Sequence, residues 1–256
     1  MLRYGFATAG LICASAAQAQ VPPTAATIPP QYAGVQTRVG GVFVTPIPNI
    51  PFSAMVQISS TRLLPDGSSE MRKTENRIAR NSQGVIYNEM RRMMPVAFQG
   101  MPPLTSSHVY DPGSGVSTFW EPTSNVARST VLPPQQMRER KPFTLPLAGA
   151  VDTDLGESTM SGVGVHGLRR TFHIDATQGG TLKPLVVTDE YWYSEDLHLV
   201  MLQKHDDSRT GEQIVVVTAV QRTEPDAKQF AVPEGYRIVD LTPDAVPVRS
   251  TGKAGN

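Results

Sequence analysis

Short runs of alternating apolar and polar residues, broken by turns rich in glycine, proline and aspartate, fill most of this chain. Phe52 to Leu64 reads as a strand that stops at Pro65-Asp66-Gly67, where proline presets one turn position and glycine supplies the other. Ser68 to Arg80 is long, polar and alternating in charge, and it turns at Asn81-Ser82-Gln83-Gly84 into Val85 to Met94. The pair predicts a hairpin with few apolar residues and one face in water. Ser107 to Tyr110 and Val116 to Glu121 flank Asp111-Pro112-Gly113-Ser114-Gly115, a second hairpin. Ser124 to Thr130 predicts a short helix with Ser124 as N-cap, and Gln135 to Lys141 a second, started by Pro134 and stopped by Pro142. Further strands are predicted over Gly156 to Val165, Leu168 to Ile174, Leu185 to Tyr193, Leu197 to Lys204, Glu212 to Arg222 and Arg237 to Asp240. The run Ile214-Val215-Val216-Val217 does not alternate, so that strand is expected to be covered on both faces.

Loops this short cannot carry the crossovers that parallel pairing needs. The expected fold is therefore mainly β: one antiparallel, strongly curved sheet, an incomplete barrel, with one to three short helices as a lid. The expected organisation is a signal peptide over 1–19, a proline-rich strap or linker over 20–51, a β domain over 52–242 and a flexible tail over 243–256. Residues 20 to 51 hold prolines at 22, 23, 29, 30, 46, 48 and 51 and no acidic residue, which disfavours helix and favours extended chain. Val42-Phe43-Val44 is the piece of this strap expected to bury itself.

The signal reading rests on Met1-Leu2-Arg3 as a positive start, an uncharged run from Tyr4 to Ala17, and the small-x-small site Ala17-Gln18-Ala19. That run falls short of the roughly 20 apolar residues of a spanning helix. Ile12 before Cys13 argues against a lipid-anchor cysteine. A periplasmic or secreted protein without a transmembrane segment after cleavage near Ala19 is expected. Cys13 is the only cysteine, so cleavage leaves no thiol for disulfides, metal thiolates or nucleophilic catalysis. Removing Arg3 takes 23 basic residues to 22 against 23 acidic ones, a formal charge of −1. That balance argues against a nucleic-acid partner.

Few residues suggest chemistry. Gly162-Val163-Gly164-Val165-His166-Gly167 has the letters GxGxxG, but a dinucleotide site needs a helix after the loop, and Leu168 to Ile174 reads as strand. His166 and His173, like His198 and His205, are seven apart, which on a strand sends them to opposite faces. No HExxH run or GxSxG elbow occurs. The acidic pairs Asp152/Asp154, Asp189/Glu190, Glu195/Asp196 and Asp206/Asp207 read as turn and strand-end residues. No catalytic residue, metal ligand or cofactor is assigned. Arg72, Lys73, Arg77, Arg80, Arg91 and Arg92 concentrate charge on the first hairpin, and Arg72, Arg77, Arg91 and Arg92 are candidates for a docking surface. Met90, Met93, Met94 and Met101, with Phe98, form a thioether-rich group suited to adaptable apolar contact.

From Tyr110 to Tyr236 the motifs form a recognisable series: Tyr110-Asp111-Pro112, Asp154-Leu155-Gly156, Gly162, Glu190-x-Trp192-x-Ser194-x-Asp196-Leu197, Gly211-Glu212, Arg222-x-Glu224-Pro225-Asp226 and Phe230-x-Val232-Pro233-x-Gly235-Tyr236. This layout resembles a set of uncharacterised exported proteins of soil bacteria. Its last third is similar, more distantly, to the periplasmic lipoprotein-carrier superfamily (LolA/LolB-like). The resemblance implies an antiparallel sheet curled into an incomplete barrel, with helices lidding an apolar cavity that accepts acyl chains, and it carries no catalytic motif. The carriers begin with a long amphipathic helix where this chain has prolines, so either residues 124 to 141 form the lid or the cavity is shallower. The function so implied is a cell-envelope binding protein for a lipid or lipoprotein acyl chain, with Trp192, Met90, Met94, Phe98, Met201 and Leu202 as candidate wall residues and a second envelope protein as a further partner. An envelope interaction module with a filled core is the competing class, and an enzyme of unfamiliar type the third.

Overall fold

The computed structural model describes residues 41–139, 141–142 and 145–243. The expected signal peptide, the strap before residue 41 and the tail after residue 243 lie outside them. Thirteen strands follow in chain order: β1 Phe52–Leu63, β2 Ser69–Arg80, β3 Ile86–Arg91, β4 Met94–Pro95, β5 Leu104–Asp111, β6 Val116–Trp120 and β7 Val126–Val131, then β8 Ala150–Met160, β9 Val163–Ile174, β10 Leu185–Ser194, β11 Leu199–Asp207, β12 Gly211–Gln221 and β13 Arg237–Asp240. They form one open sheet in the order β13-β7-β6-β5-β3-β2-β1-β12-β11-β10-β9-β8, with β4 set beside β2.

The order describes two meanders joined at the middle. β1 to β7 run outward on one side. The chain then crosses to the far edge as β8 and steps back strand by strand until β12 pairs with β1. All pairings are antiparallel except that of β13 with β7, which is parallel, a departure from the wholly antiparallel expectation. The long segment from residue 222 to 236 returns the chain to the β7 edge and makes that pairing sterically available.

Three predicted elements differ. Ser124 to Thr130 is not a helix; it holds β7, paired with β6 on one side and β13 on the other. The Ser124 hydroxyl does accept from the Val126 amide at 3.2 Å, a local turn bond that competes with helix. Gln135 to Lys141 shrinks to a 3-10 turn, Pro134–Met137. The strand expected over Gly156 to Val165 is two strands. Ser161 (φ 49°) and Gly162 (φ 75°) form the turn of the β8–β9 hairpin, both left-handed as a two-residue hairpin loop of this type requires. The other helical pieces are single turns, Ala176–Gly179 and Ala227–Phe230.

On one face β1 buries Phe52, Ala54, Val56 and Ile58 while Ser53, Met55 and Gln57 stay more open. β12 continues this row with Val215 and Val217. Ile214 and Val216 are only half-buried, so β12 alternates where full cover on both faces was expected. Val44 joins this main core, as do Leu197, Leu199 and Met201. The opposite face carries a smaller core of Ala79, Tyr87, Val109, Trp120 and Ala127, covered by Phe230, Val232 and Tyr236. The F-x-V-P motif thus serves to cap the second face.

Arg80 locks the strap to the sheet. It is wholly buried. Its guanidinium donates to the carbonyls of Thr45 (2.7 Å), Ile50 (2.8 Å) and Leu197 (2.9 Å) and lies 5.0 Å from the centre of the Phe52 ring. The sequence placed Arg80 among exposed hairpin charges. Its register opposite Phe52 turns it into the core instead.

Candidate functional site

A cavity of about 470 Å³ lies on the main-core face, beneath Gly41, Val42 and Phe43 of the strap. Its apolar wall comes from Val56 and Ile58 of β1, Ile78 of β2, Met90 of β3, Met93, and Phe119 of β6. Thr74, Asn76, Asn88, Ser106, His108 and Gln213 add polar groups. These residues share the cavity because the register stacks them: Ile58 faces Thr74, Ile78 faces Asn88, and His108 faces both Asn88 and Phe119. The lid is the strap, not a helix.

The titratable groups on this wall are Glu89, Arg91 and His108. Glu89 and Arg91 pair at 2.8 Å, both nearly buried; Glu89 also accepts from the Tyr87 hydroxyl at 3.0 Å, and Arg91 donates to the Pro102 carbonyl at 2.9 Å. Burial pushes Tyr87 up to about 12. His108 meets the Ser117 hydroxyl at 2.8 Å and tilts against Phe119; burial lowers its pKa, favouring the neutral ring. The wall therefore presents no uncompensated charge among the described residues.

Of the six candidate wall residues, Met90 lines this cavity, and Trp192, Met94, Phe98, Met201 and Leu202 lie outside its lining. Met94 pairs with Lys73 beside β2. Met201 is wholly buried in the main core. Trp192 stands opposite Leu202, packs against that core and donates its indole N–H to Glu190 at 2.7 Å. Its ring lies so close to Gly167 that a Cβ there would come within 2.8 Å of it. The last glycine of GxGxxG thus makes room for an indole, and strand rather than helix follows it. Among the residues that build the cavity, the sequence pattern did not mark Val56, Ile58, Thr74, Ile78, Asn88 or Phe119. Alternation along Thr74-Glu75-Asn76-Arg77-Ile78 was the available signal, masked by two polar residues on the inward face.

The four docking candidates do not share one surface. Arg72 and Arg77, five apart on β2, project to opposite faces. Arg72 pairs with Glu70 at 2.7 Å, Arg91 is tied to Glu89, and Arg92 is exposed.

Where the crossover after β7 meets the β10–β11 turn, Glu139, Glu195 and His198 bring one ligand atom each within 4.8 Å of one another, the grouping among the described residues that could hold a metal ion. Each carboxylate already has partners. Glu139 accepts from the Tyr193 hydroxyl and meets His198 Nδ1 at 2.9 Å, and Lys141 sits on Glu195 at 2.7 Å. Burial and this bond to Glu139 raise the Tyr193 pKa. The cluster works as a clasp that fastens the crossover. Two further histidines face carboxylates: His166 meets Asp154 and Glu157, and His205 meets Asp189 at 2.7 Å.

Fold and cavity define an open β-sheet protein with a strap-covered hollow on one face. No protein-family model matches the chain, and no curated protein sequence matches it. Among solved structures it is similar to a chain of the Pseudomonas aeruginosa MucA/MucB complex, at 14% identity and a TM-score of 0.40 over 74% of this chain and 58% of that one. The chain thus spans less than two thirds of that relative. It is also similar to a LolA superfamily protein from Nitrosomonas europaea (11% identity, TM-score 0.29, 73% of this chain and 92% of that). A third is the Mycobacterium tuberculosis lipoprotein LppX (12%, 0.26, 68% and 88%).

Proposed function

We propose that this chain is a binding protein of the cell envelope that holds an apolar ligand, a lipid or a lipoprotein acyl chain, in the cavity between strap and sheet, without catalysis. The observation that carries the reading is the cavity itself. Its volume of about 470 Å³ falls in the range of roughly 300–1,000 Å³ typical of small-molecule sites, and a filled-core interaction module has no use for such a space. The wall also has the usual composition of such sites, apolar side chains with a few placed polar groups. Export places the protein where lipids and lipoproteins travel, and the start of the chain has the form of a secretory signal. No helix among the described residues is long and apolar enough to cross a membrane.

Native mass spectrometry of protein purified from its own envelope tests the reading. Adducts of lipid mass that disappear when Ile58 and Ile78 are both replaced by Trp, with the fold retained by circular dichroism, support it. A chain that travels without lipid and takes up none from mixed envelope extracts returns the protein to the interaction-module class.

A further inference from the structure

The cavity wall pairs its charges and leaves two uncharged polar atoms unmatched. Thr74 Oγ1 and Asn88 Oδ1 are buried and have no hydrogen-bond partner among the described residues. Both residues line the cavity, and Thr74 is only 5% exposed. Buried polar atoms are nearly always paired, so each unpaired one calls for a reason. Neighbouring polar groups on the same wall are matched: Asn76 Oδ1 accepts from the Arg91 amide at 2.8 Å, and His108 meets Ser117. Thr74 lies opposite Ile58, and Asn88 lies opposite Ile78. The two unmatched atoms therefore sit at separate points on the wall, beside the apolar Ile58 and Ile78 and with the already matched Asn76 between Thr74 and Ile78.

The charge pattern narrows the ligand. A carboxylate or phosphate brought under the strap would need a cation, and the arginine on the wall, Arg91, is already held by Glu89. Taking an unpaired ion out of water is far costlier than taking a hydroxyl that finds a partner. A hydroxyl suits both atoms, because it can donate to the Asn88 carbonyl oxygen and either donate to or accept from Thr74.

Resting on the binding function above, we propose that the cavity selects a single-chain amphiphile whose polar part is uncharged and bears hydroxyl groups, with Thr74 and Asn88 as its hydrogen-bonding residues. A monoacylglycerol has this chemistry; a fatty-acid anion of equal chain length does not.

The test uses the mature chain and two probes, 1-monomyristoylglycerol and myristate, each below its micelle concentration at pH 8, with binding read by titration calorimetry. Monomyristoylglycerol is expected to bind at least tenfold more tightly. Thr74→Val removes the hydroxyl at nearly constant shape and should weaken monomyristoylglycerol three- to tenfold while leaving myristate unchanged. Thr74→Ser keeps the hydroxyl and should restore the preference, and thermal melts of both variants report on folding. Myristate binding as tightly as monomyristoylglycerol, or Thr74→Val weakening both probes alike, overturns this inference and leaves the binding function standing. Failure of both probes to bind overturns this inference, while the envelope-lipid experiment judges the binding function separately.

Discussion

Replacing Arg80 with methionine keeps most of the aliphatic stem and removes the fork that holds three backbone carbonyls. The Thr45 and Ile50 carbonyls belong to the strap, and the Leu197 carbonyl to the β10–β11 turn. With the guanidinium gone, all three lose a charged donor in a site closed to water. Each orphaned acceptor costs about 1–3 kcal/mol. The desolvation that Arg80 itself suffers is returned on removal and offsets part of this, as is usual for buried charges. Burial brings its pKa down to about 10, so the group is charged across the neutral range and the offset is partial. A net loss of about 3–5 kcal/mol is expected, a large share of a typical stability of about 5–15 kcal/mol. Urea unfolding should show the midpoint falling by roughly 1–2 M with the slope little changed. Arg80→Lys, with a point charge in place of the planar fork, should fall between. A midpoint for Arg80→Met within about 0.3 M of wild type would refute the idea that this residue locks the strap.

Other positions give equally direct expectations. At Gly211 (φ 103°) an added Cβ would land on the Thr61 carbonyl, so Gly211→Ala should destabilise by well over 1 kcal/mol; an unchanged melting curve would contradict that geometry. Trp192→Ala should cost about 2–4 kcal/mol, less than for a fully enclosed indole, since the ring covers Gly167 and is only partly buried; a loss under 0.5 kcal/mol in urea unfolding would place it in solvent. The His108 pKa is lowered by burial, so the stability it contributes is complete above the unfolded value near 6.5 and is lost as pH falls through its lower folded value. Proton NMR should show His108 titrating below 6.5, and His108→Gln should flatten the decline of stability on that side; a titration above 6.5 would count against it.

Alternation and turn chemistry made the strand plan readable. Pro65-Asp66-Gly67, Asn81 to Gly84 and Asp111 to Gly115 end strands as expected, and β1, β2, β6, β10 and β13 fall within a residue or two of their expected bounds. What local pattern could not show was pairing. β7 is a strand because β6 and β13 flank it, although Ser124 looks like a helix cap from its neighbours alone. Arg80 looks like one more hairpin charge until its register sets it opposite Phe52. The cavity was hidden for a related reason. Thr74 and Asn76 are polar yet face inward, so the hydrophobic pattern that marks a buried face on β1 is absent on β2, and Trp192 drew attention to a neighbouring part of the sheet instead.

The seam between β1 and β12 also governs when this protein can finish folding. β1, near residue 58, hydrogen-bonds to β12, near residue 215, so the two meanders stay separate until almost the whole chain is present. Pairing between such distant segments must overcome a large loop-closure entropy before any contact repays it, which slows folding. A chain threaded through a translocon would emerge with β1 to β7 first and the partner strand last. Its central strand edge would stay open for the whole interval, so a holding chaperone at the exit would shield β1 until β12 arrives.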